Sequence, residues 1–249
     1  MDEIAQKLSD IQRSTLESVP FFSYLNVEAR QEAAKHLHLM VVRKGRILCA
    51  HGSEPSHVYF ILDGEFVGRV YSSLGKEVWL KSWGPGDIIG ALAAIDDQCS
   101  VGTVAAETNG ALAKMSQAAF VSALSSSATA ASWLASRFSQ AARELTNRVF
   151  ELSTLNVGER LNCELLRLAL QAGIDHNHAI LVRCPTQRDL AIRLGTHREA
   201  ISRAIGHLIE LDVVHFKDRH LEILDVHALA PTTHCITSGK LACRQVENP

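Results

Sequence analysis

The chain has 249 residues, a net charge of −2, 47% hydrophobic and 21% charged residues, which is enough for two compact domains with a core each. No long unbroken apolar run marks a membrane span and the polar, acidic start MDEIAQKLSD is no signal peptide, so a cytoplasmic protein without a membrane partner is expected. The near-neutral balance gives no global attraction to nucleic acid, and six scattered cysteines (Cys49, Cys99, Cys163, Cys184, Cys235 and Cys243) point to reduced thiols rather than a disulfide framework.

In chain order, Ile4 to Leu25 carries Ile4, Leu8, Ile11, Thr15 and Val19 on one helical face and is expected to stop at Pro20. A second helix follows, capped near Asn26, with Val27, Ala33, Ala34 and Leu37 as its apolar face. From Met40 to Met115 the texture changes to the short apolar runs MVV, ILCA, VYFIL, FVGRVY, VWLKSW, IIGAL, TVAA and ALAKM, punctuated by glycines such as Gly45, Gly52, Gly64 and Gly75. Turn signals every ~8–12 residues are those of an all-β sandwich or barrel. Such a roll holds one small ligand in its mouth.

Gln117 to Leu155 is a long helical stretch with a serine-rich break in its first part. In its second part Leu134, Phe138, Ala141, Leu145, Arg148, Leu152 and Leu155 fall at alternating intervals of four and three, a heptad seam interrupted by Arg148. Two readings stand: a parallel two-stranded coiled coil, hence a homodimer with a dimer interface at Leu134, Phe138, Ala141, Leu145, Leu152 and Leu155, or a core helix of one domain.

Asn156 is a hinge residue and N-cap for a helix that buries Leu161, Leu165 and Leu168. A polar DHNH loop and a short strand, ILVRCP, lead to TQRDLAIRLGTHREAISRAIGHL. Thr186 caps a helix whose apolar positions are Leu190, Ala191 and Leu194 and which Gly195 ends; a second helix starts at Thr196 and buries Ala200, Ile201, Ile205 and Leu208. This leaves His197, Arg198, Glu199, Ser202 and Arg203 outward, with Thr186 and Gln187 at the start of the first helix. An arginine there can fork onto guanine O6 and N7, and a glutamate can accept from cytosine N4, which is the chemistry of major-groove reading by a helix-turn-helix. The alternative is a helical hairpin with a solvated charged face. Local cations, Arg188, Arg193, Arg198, Arg203, Lys217 and Arg219, would have to carry the binding. VVHFKDRHLEILD reads as a winged hairpin whose tip offers Lys217 and Arg219 to phosphate, and the tail from Pro231 contains His234, Cys235 and Cys243 without a convincing metal site.

The segment GTHREAISR resembles the recognition helix of the cyclic-AMP receptor protein / FNR (CRP/FNR) family of bacterial transcription regulators. KGRILCAHGSEPSHVYFILDGEFVGRVY and WGPGDIIGALAAI resemble that family's cyclic-nucleotide-binding β-roll, and NVGERLNCELLRLALQAG its first DNA-binding-domain helix. The resemblance implies an α+β chain in which an N-terminal β-roll (a double-stranded β-helix, cyclic-nucleotide-binding-like), a long dimerisation helix and a C-terminal winged helix-turn-helix follow one another. The expected divisions are residues 1–116, 117–155, 156–230 and a tail at 231–249. It further implies that Arg198, Glu199 and Arg203 read a half-site of double-stranded DNA, with Ser202 completing an FNR-like pattern, that RNA polymerase is a partner, and that the protein is not an enzyme. No hydrolase elbow, phosphate loop or metal-ligand cluster speaks for catalysis.

The effector site departs from that pattern. The expected pocket is Gly90, Ala91, Leu92, Ser100, Val101 and, from the long helix, Thr146. Nucleotide-binding members carry a glutamate where Ala91 stands and an arginine followed by a hydroxyl residue near Cys99, Ser100 and Val101, and no arginine or lysine lies between Lys81 and Lys114. An anionic phosphate in a partly dry pocket needs such a cation or several donors, so ordinary cyclic AMP binding is not expected, no cofactor is assigned, and an unknown small effector or none is left open. The family's iron-sulfur branch needs a cysteine cluster near the N-terminus, which is absent; His36, His38, His51 and His57 are haem-ligand candidates without a favoured pair. Cys184 is either a redox thiol modulating DNA contact or a small buried residue at a helix boundary.

Overall fold

The computed structural model describes residues 19–182, 184–217 and 220–230, and it divides after Phe138 into two units. The first contains α1 (Pro20–Ser23), α2 (Val27–Lys35), β1 (His38–Val42), β2 (Ile47–Cys49), β3 (His57–Asp63), β4 (Phe66–Tyr71), β5 (Glu77–Trp83), β6 (Ile88–Ile89), α3 (Ala91–Asp96), β7 (Thr103–Ala106), β8 (Gly110–Ser116), α4 (Gln117–Ser125) and the start of α5 (Ala128–Thr154). Its strands pair antiparallel into two four-stranded sheets, ordered β1-β8-β3-β6 and β2-β7-β4-β5.

Alternation along the strands sorts the side chains between two cores. Val42, Ile61 and Leu112 from the first sheet and Phe66, Val104 and Ala106 from the second form the inner core. Val58, Phe60, Ala113 and Met115 turn the other way, onto Phe21, Phe22, Phe120 and Leu134 of the helices. The first sheet is therefore buried on both faces. This accounts for the unbroken apolar run VYFIL in β3, where a half-solvated strand would alternate.

The expected strands form, with local differences. Pro20 opens a helix at its first turn, where its missing N–H costs nothing, rather than closing one; residues 4–18 of the expected first helix lie outside the described residues. Asn26 caps α2 by accepting from the Ala29 amide at 2.8 Å, yet Val27 is 67% exposed, and Ala33 and Leu37 carry the buried face. In IIGAL only Ile88 and Ile89 are strand, because Gly90 turns left-handed at φ 87° and starts α3. A Cβ on Gly90 would sit 2.8 Å from the His57 carbonyl oxygen, so the turn requires glycine twice over.

The second unit contains the end of α5, α6 (Val157–Ala172), β9 (Ala179–Leu181), α7 (Gln187–Arg193), α8 (Arg198–Glu210), β10 (Val214–Lys217), β11 (His220–Ile223) and a short 3-10 turn at His227–Leu229. A sheet ordered β10-β11-β9 backs the helices, and Leu161, Leu165, Leu190, Leu194, Ile201, Ile205, Leu208, Leu221 and Ile223 meet in one core. Asn156 and Glu159 form a capping box at the head of α6, each side chain accepting from the other's amide at 3.0 and 2.8 Å.

The expected seam residues on α5 differ in exposure. Leu134 lies in the first unit's core with Phe138 packed against it, so neither is a free seam position, and Ala141 and Leu155 are half-buried. Arg148 is turned into the second unit, its side chain 17% exposed, where two buried carboxylates draw it. Among the exposed positions, which also include Phe150, Ala142, Leu145, Val149 and Leu152 keep the three-four-three spacing with Ala141 and Arg148 replaced by their neighbours. Among the described residues no single helix is long and apolar enough to cross a membrane.

Candidate nucleic-acid interface and ligand cleft

Helix α7 starts because Thr186 satisfies its first amides: its hydroxyl oxygen accepts from the Asp189 amide at 3.1 Å while Asp189 accepts from the Thr186 amide at 3.1 Å. Leu190, Ala191 and Leu194 are buried, and Gly195 makes the turn at φ 62°. The Thr196 amide reaches back to the Ala191 carbonyl, and α8 begins at Arg198, with His197 at the cap position, two residues later than the sequence indicates. Ile201, Ile205 and Leu208 anchor α8 from below. Arg198, Glu199, Ser202 and Arg203 are all exposed on the opposite face of its first half, at the spacing one helical face demands. His197 is exposed beside them, and Thr186 is exposed and Gln187 half-buried at the head of α7.

In the wing, Lys217 is exposed at the end of β10, 3.9 Å from Glu222, while Arg219 lies outside the described residues, as do His234, Cys235 and Cys243. Arg193 is not a free cation: its guanidinium donates to Glu164 Oε1 at 3.2 Å. Cys184 is half-buried, and burial pushes its thiol up to about 11 against a smaller opposing pull from Arg193. A reactive thiol needs the opposite shift, so its environment favours the packing role over the redox one.

An ion cluster holds α7 to the helices before it. Arg167 of α6 clamps Glu151 of α5 with Nη1–Oε1 at 2.5 Å and Nη2–Oε2 at 3.0 Å, and also donates to Glu164 at 3.0 Å. Arg148 approaches Glu151 at 3.4 Å and Glu164 at 3.6 Å. Burial alone would raise the Glu164 carboxyl, but Arg167, Arg148 and Arg193 outweigh it and hold it below the usual range. Nearby, Arg160 donates to the Leu194 carbonyl at 2.8 Å, and a Cβ on Gly195 would meet Leu152 at 3.3 Å. The helix-turn-helix is thus tied to α6 by the Arg193–Glu164 pair and the Arg160–Leu194 bond, and α6 in turn to the end of α5 by the Arg167–Glu151 clamp, with Leu152 in direct contact at the Gly195 turn.

In the first unit a cleft of about 270 Å³ opens where β2, β3 and the turn before α3 converge. Of the six expected pocket residues, Gly90 and Ser100 line it. Ala91 faces the helical core, Leu92 and Val101 are exposed on the surface, and the Thr146 hydroxyl donates to the Ala142 carbonyl at 2.9 Å within its own helix. Sequence reasoning missed Cys49, Glu54 and Tyr59, and named His57 only as a haem-ligand candidate; these residues line the cleft with Ser53 and Ser56. Two polar residues at alternate positions of an otherwise apolar strand, His57 and Tyr59, were the available signal. Burial, with smaller contributions from Lys114 and His38, keeps His57 low and hence neutral, and burial, then Cys49, raises the Tyr59 phenol, which donates to the Leu48 carbonyl at 3.3 Å. No arginine or lysine is among the lining residues, and Glu54 adds a carboxylate, so the cleft offers hydroxyls and a neutral imidazole but no counterion for a phosphate.

Residues 39–127 match the family model of the cyclic nucleotide-binding domain, and residues 159–232 that of the Crp-like helix-turn-helix domain. No curated protein matches the chain. Among solved structures, FixK2 from Bradyrhizobium japonicum is 17% identical with a TM-score of 0.68, covering 78% of this chain and 95% of its own. The c-di-GMP responsive global regulator CLP of Xanthomonas campestris is 18% identical at 0.67, covering 80% and 99%. A CooA mutant from Carboxydothermus hydrogenoformans is 16% identical at 0.68, covering 78% and 87%. At these identities the likeness is one of fold.

The cluster makes the second unit's stability depend on pH. Because the folded Glu164 carboxyl lies below the ordinary carboxylate value of 4.5, its contribution is complete above that value and is lost as pH falls through the lowered one. Glu164→Gln, which strands buried guanidiniums, is expected to cost about 3–5 kcal/mol at neutral pH. Its thermal midpoint should also change less than the wild type's on acidification from about pH 5 to about pH 3. Parallel midpoint curves for the two proteins would show that Glu164 is not the titrating group.

Proposed function

The chain belongs to the CRP/FNR family of transcription regulators, joining a cyclic nucleotide-binding domain to a Crp-like helix-turn-helix, and we propose that it works as a homodimer on a palindromic DNA operator without ordinary cyclic AMP control. The observation that carries the reading is the outward face of α8, where two arginines, a glutamate and a serine stand clear on a helix seated by Ile201, Ile205 and Leu208. Arg198 and Arg203 have the fork that guanine presents to in the major groove, Glu199 accepts from cytosine, and Ser202 bonds to either a base edge or a phosphate. His197, Thr186 and Gln187 sit where a helix-turn-helix meets the backbone, and Lys217, exposed at the end of β10, supplies a phosphate contact. Binding rests on this local placement, since the chain as a whole carries −2.

Two copies meet through the apolar positions left exposed on α5: Ala142, Leu145, Val149 and Leu152. A twofold dimer of this kind sets the two reading helices about 34 Å apart, one turn of DNA, so half-sites are inverted repeats. Bound in the cytoplasm to such a site, the protein acts on RNA polymerase as its family does. The cleft of the β-roll takes a small effector other than a cyclic nucleotide, or none: its hydroxyls, neutral His57 and carboxylate Glu54 suit a ligand without a phosphate charge. Any effector acts only through its different affinity for the DNA-competent and incompetent arrangements.

Three outcomes are expected. Against a duplex selected by the wild-type protein from a random library, Arg203→Ala lowers affinity by about 1–3 kcal/mol and relaxes preference at one base position, whereas Lys217→Ala weakens selected and random duplexes alike and lowers the salt slope by about 1; equal losses for Arg203→Ala on both duplexes would remove its reading role. Addition of cyclic AMP leaves affinity for the selected duplex unchanged, and a strong response would restore the nucleotide as effector. Val149→Glu places a charge at the proposed seam and converts the dimer to monomer in sedimentation; a dimer that withstands it means α5 is not the interface.

A further inference from the structure

The buried ion cluster of the second unit joins α5, α6 and α7 and uses none of the exposed residues assigned above to base reading or to the seam. It sets three guanidiniums, Arg148, Arg167 and Arg193, against two carboxylates, Glu151 and Glu164, whose side chains are 4% and 6% exposed. Buried ion pairs of this kind contribute little net stability over a well-packed apolar core, because removing both charges from water costs about what their attraction returns. What they contribute is direction. A guanidinium fork accepts a carboxylate in one plane and at one distance, while apolar surfaces slide. Here the forks span three elements: Glu151 on the last turns of α5, Glu164 and Arg167 on α6, and Arg193 on the last turn of α7, two residues from the Gly195 turn that launches α8.

We propose that Glu151 and Arg167, with Glu164 and Arg193 behind them, are positioning residues for operator recognition: they fix the angle at which each reading helix leaves the dimer helix, so that both half-sites are engaged at one spacing. This rests on the dimeric DNA-binding reading above. The physical consequence is specific. Two linked modules gain affinity over one by an effective concentration that is large only when their geometry matches the span between sites, a gain of about 10²–10⁴. Loosening the cluster leaves each recognition helix intact and reduces only that gain.

The test uses the full chain, a palindromic duplex selected by the wild-type protein, a duplex bearing one half of it, and versions of the palindrome with one base pair inserted or removed at its centre. Arg167→Lys keeps the charge but removes the fork, and Glu151→Gln keeps the shape but removes the charge. Both are expected to bind the half-site within about twofold of wild type, to lose about tenfold or more on the palindrome, and to discriminate less between the palindrome and its respaced versions. Arg167→Lys serves where Glu151→Gln fails to fold, since it leaves the cluster's charge balance unchanged. A purely structural role would lower half-site and palindrome binding together; an unchanged ratio of the two in a folded variant overturns the proposal. Wild-type protein that gains nothing from the second half-site would overturn the dimeric reading itself, before any variant is compared.

Discussion

A carboxylate cannot be taken out of water unless cations or hydrogen-bond donors go with it, and Glu164 is only 5% exposed. That requirement organises the second unit. It turns Arg148 off the outer face of α5, holds Arg167 where it also grips Glu151, and draws Arg193 of α7 inward, away from the role of a free phosphate-binding cation. The helix-turn-helix is thereby seated on the end of the long helix by bonds with fixed directions, and the apolar core beneath α7 and α8 supplies the bulk of the burial. Packing makes the unit stable; the ion cluster makes it one shape.

The two units divide the work by chemistry. Helix α8 keeps its polar face, with Arg198, Glu199 and Arg203, in water and its apolar residues in the core. The roll does the reverse: its polar groups turn inward around a small cleft, with His57 and Tyr59 on alternate positions of β3 and Gly90 shaping the turn opposite them. The missing counterion separates this cleft from a phosphate site more sharply than its size does.

Much of this was legible from the residues in order. Thr186, Gly195 and the apolar positions between and after them define the helix-turn-helix through local rules of capping and periodicity, and the strands of the roll follow from short apolar runs between turns. The cleft was not legible, because strand pairing brings Ile47 to Cys49, His57, Tyr59, Gly90 and Ser100 together across more than fifty positions, and no local pattern encodes that meeting. Ala91 and Leu92 were misplaced because neighbours in sequence around a helical turn point in different directions, and Val101 because it lies in the exposed loop that follows. Arg193 was read as a free cation and Arg148 as an interruption of the seam because the buried partner both of them meet, Glu164, lies on another helix that no local pattern links to them.

The shared use of α5 has a consequence for how this chain can change over time. One face of the helix answers to buried carboxylates through Arg148, and the adjacent face presents Val149 and Leu145. Each inserted residue turns everything beyond it by about 100° around the helix axis, which would exchange those two faces at a stroke. Length in this segment is therefore expected to drift only in steps near whole heptads, while loops elsewhere grow and shrink freely: the helix behaves as a gauge whose marks cannot be moved singly.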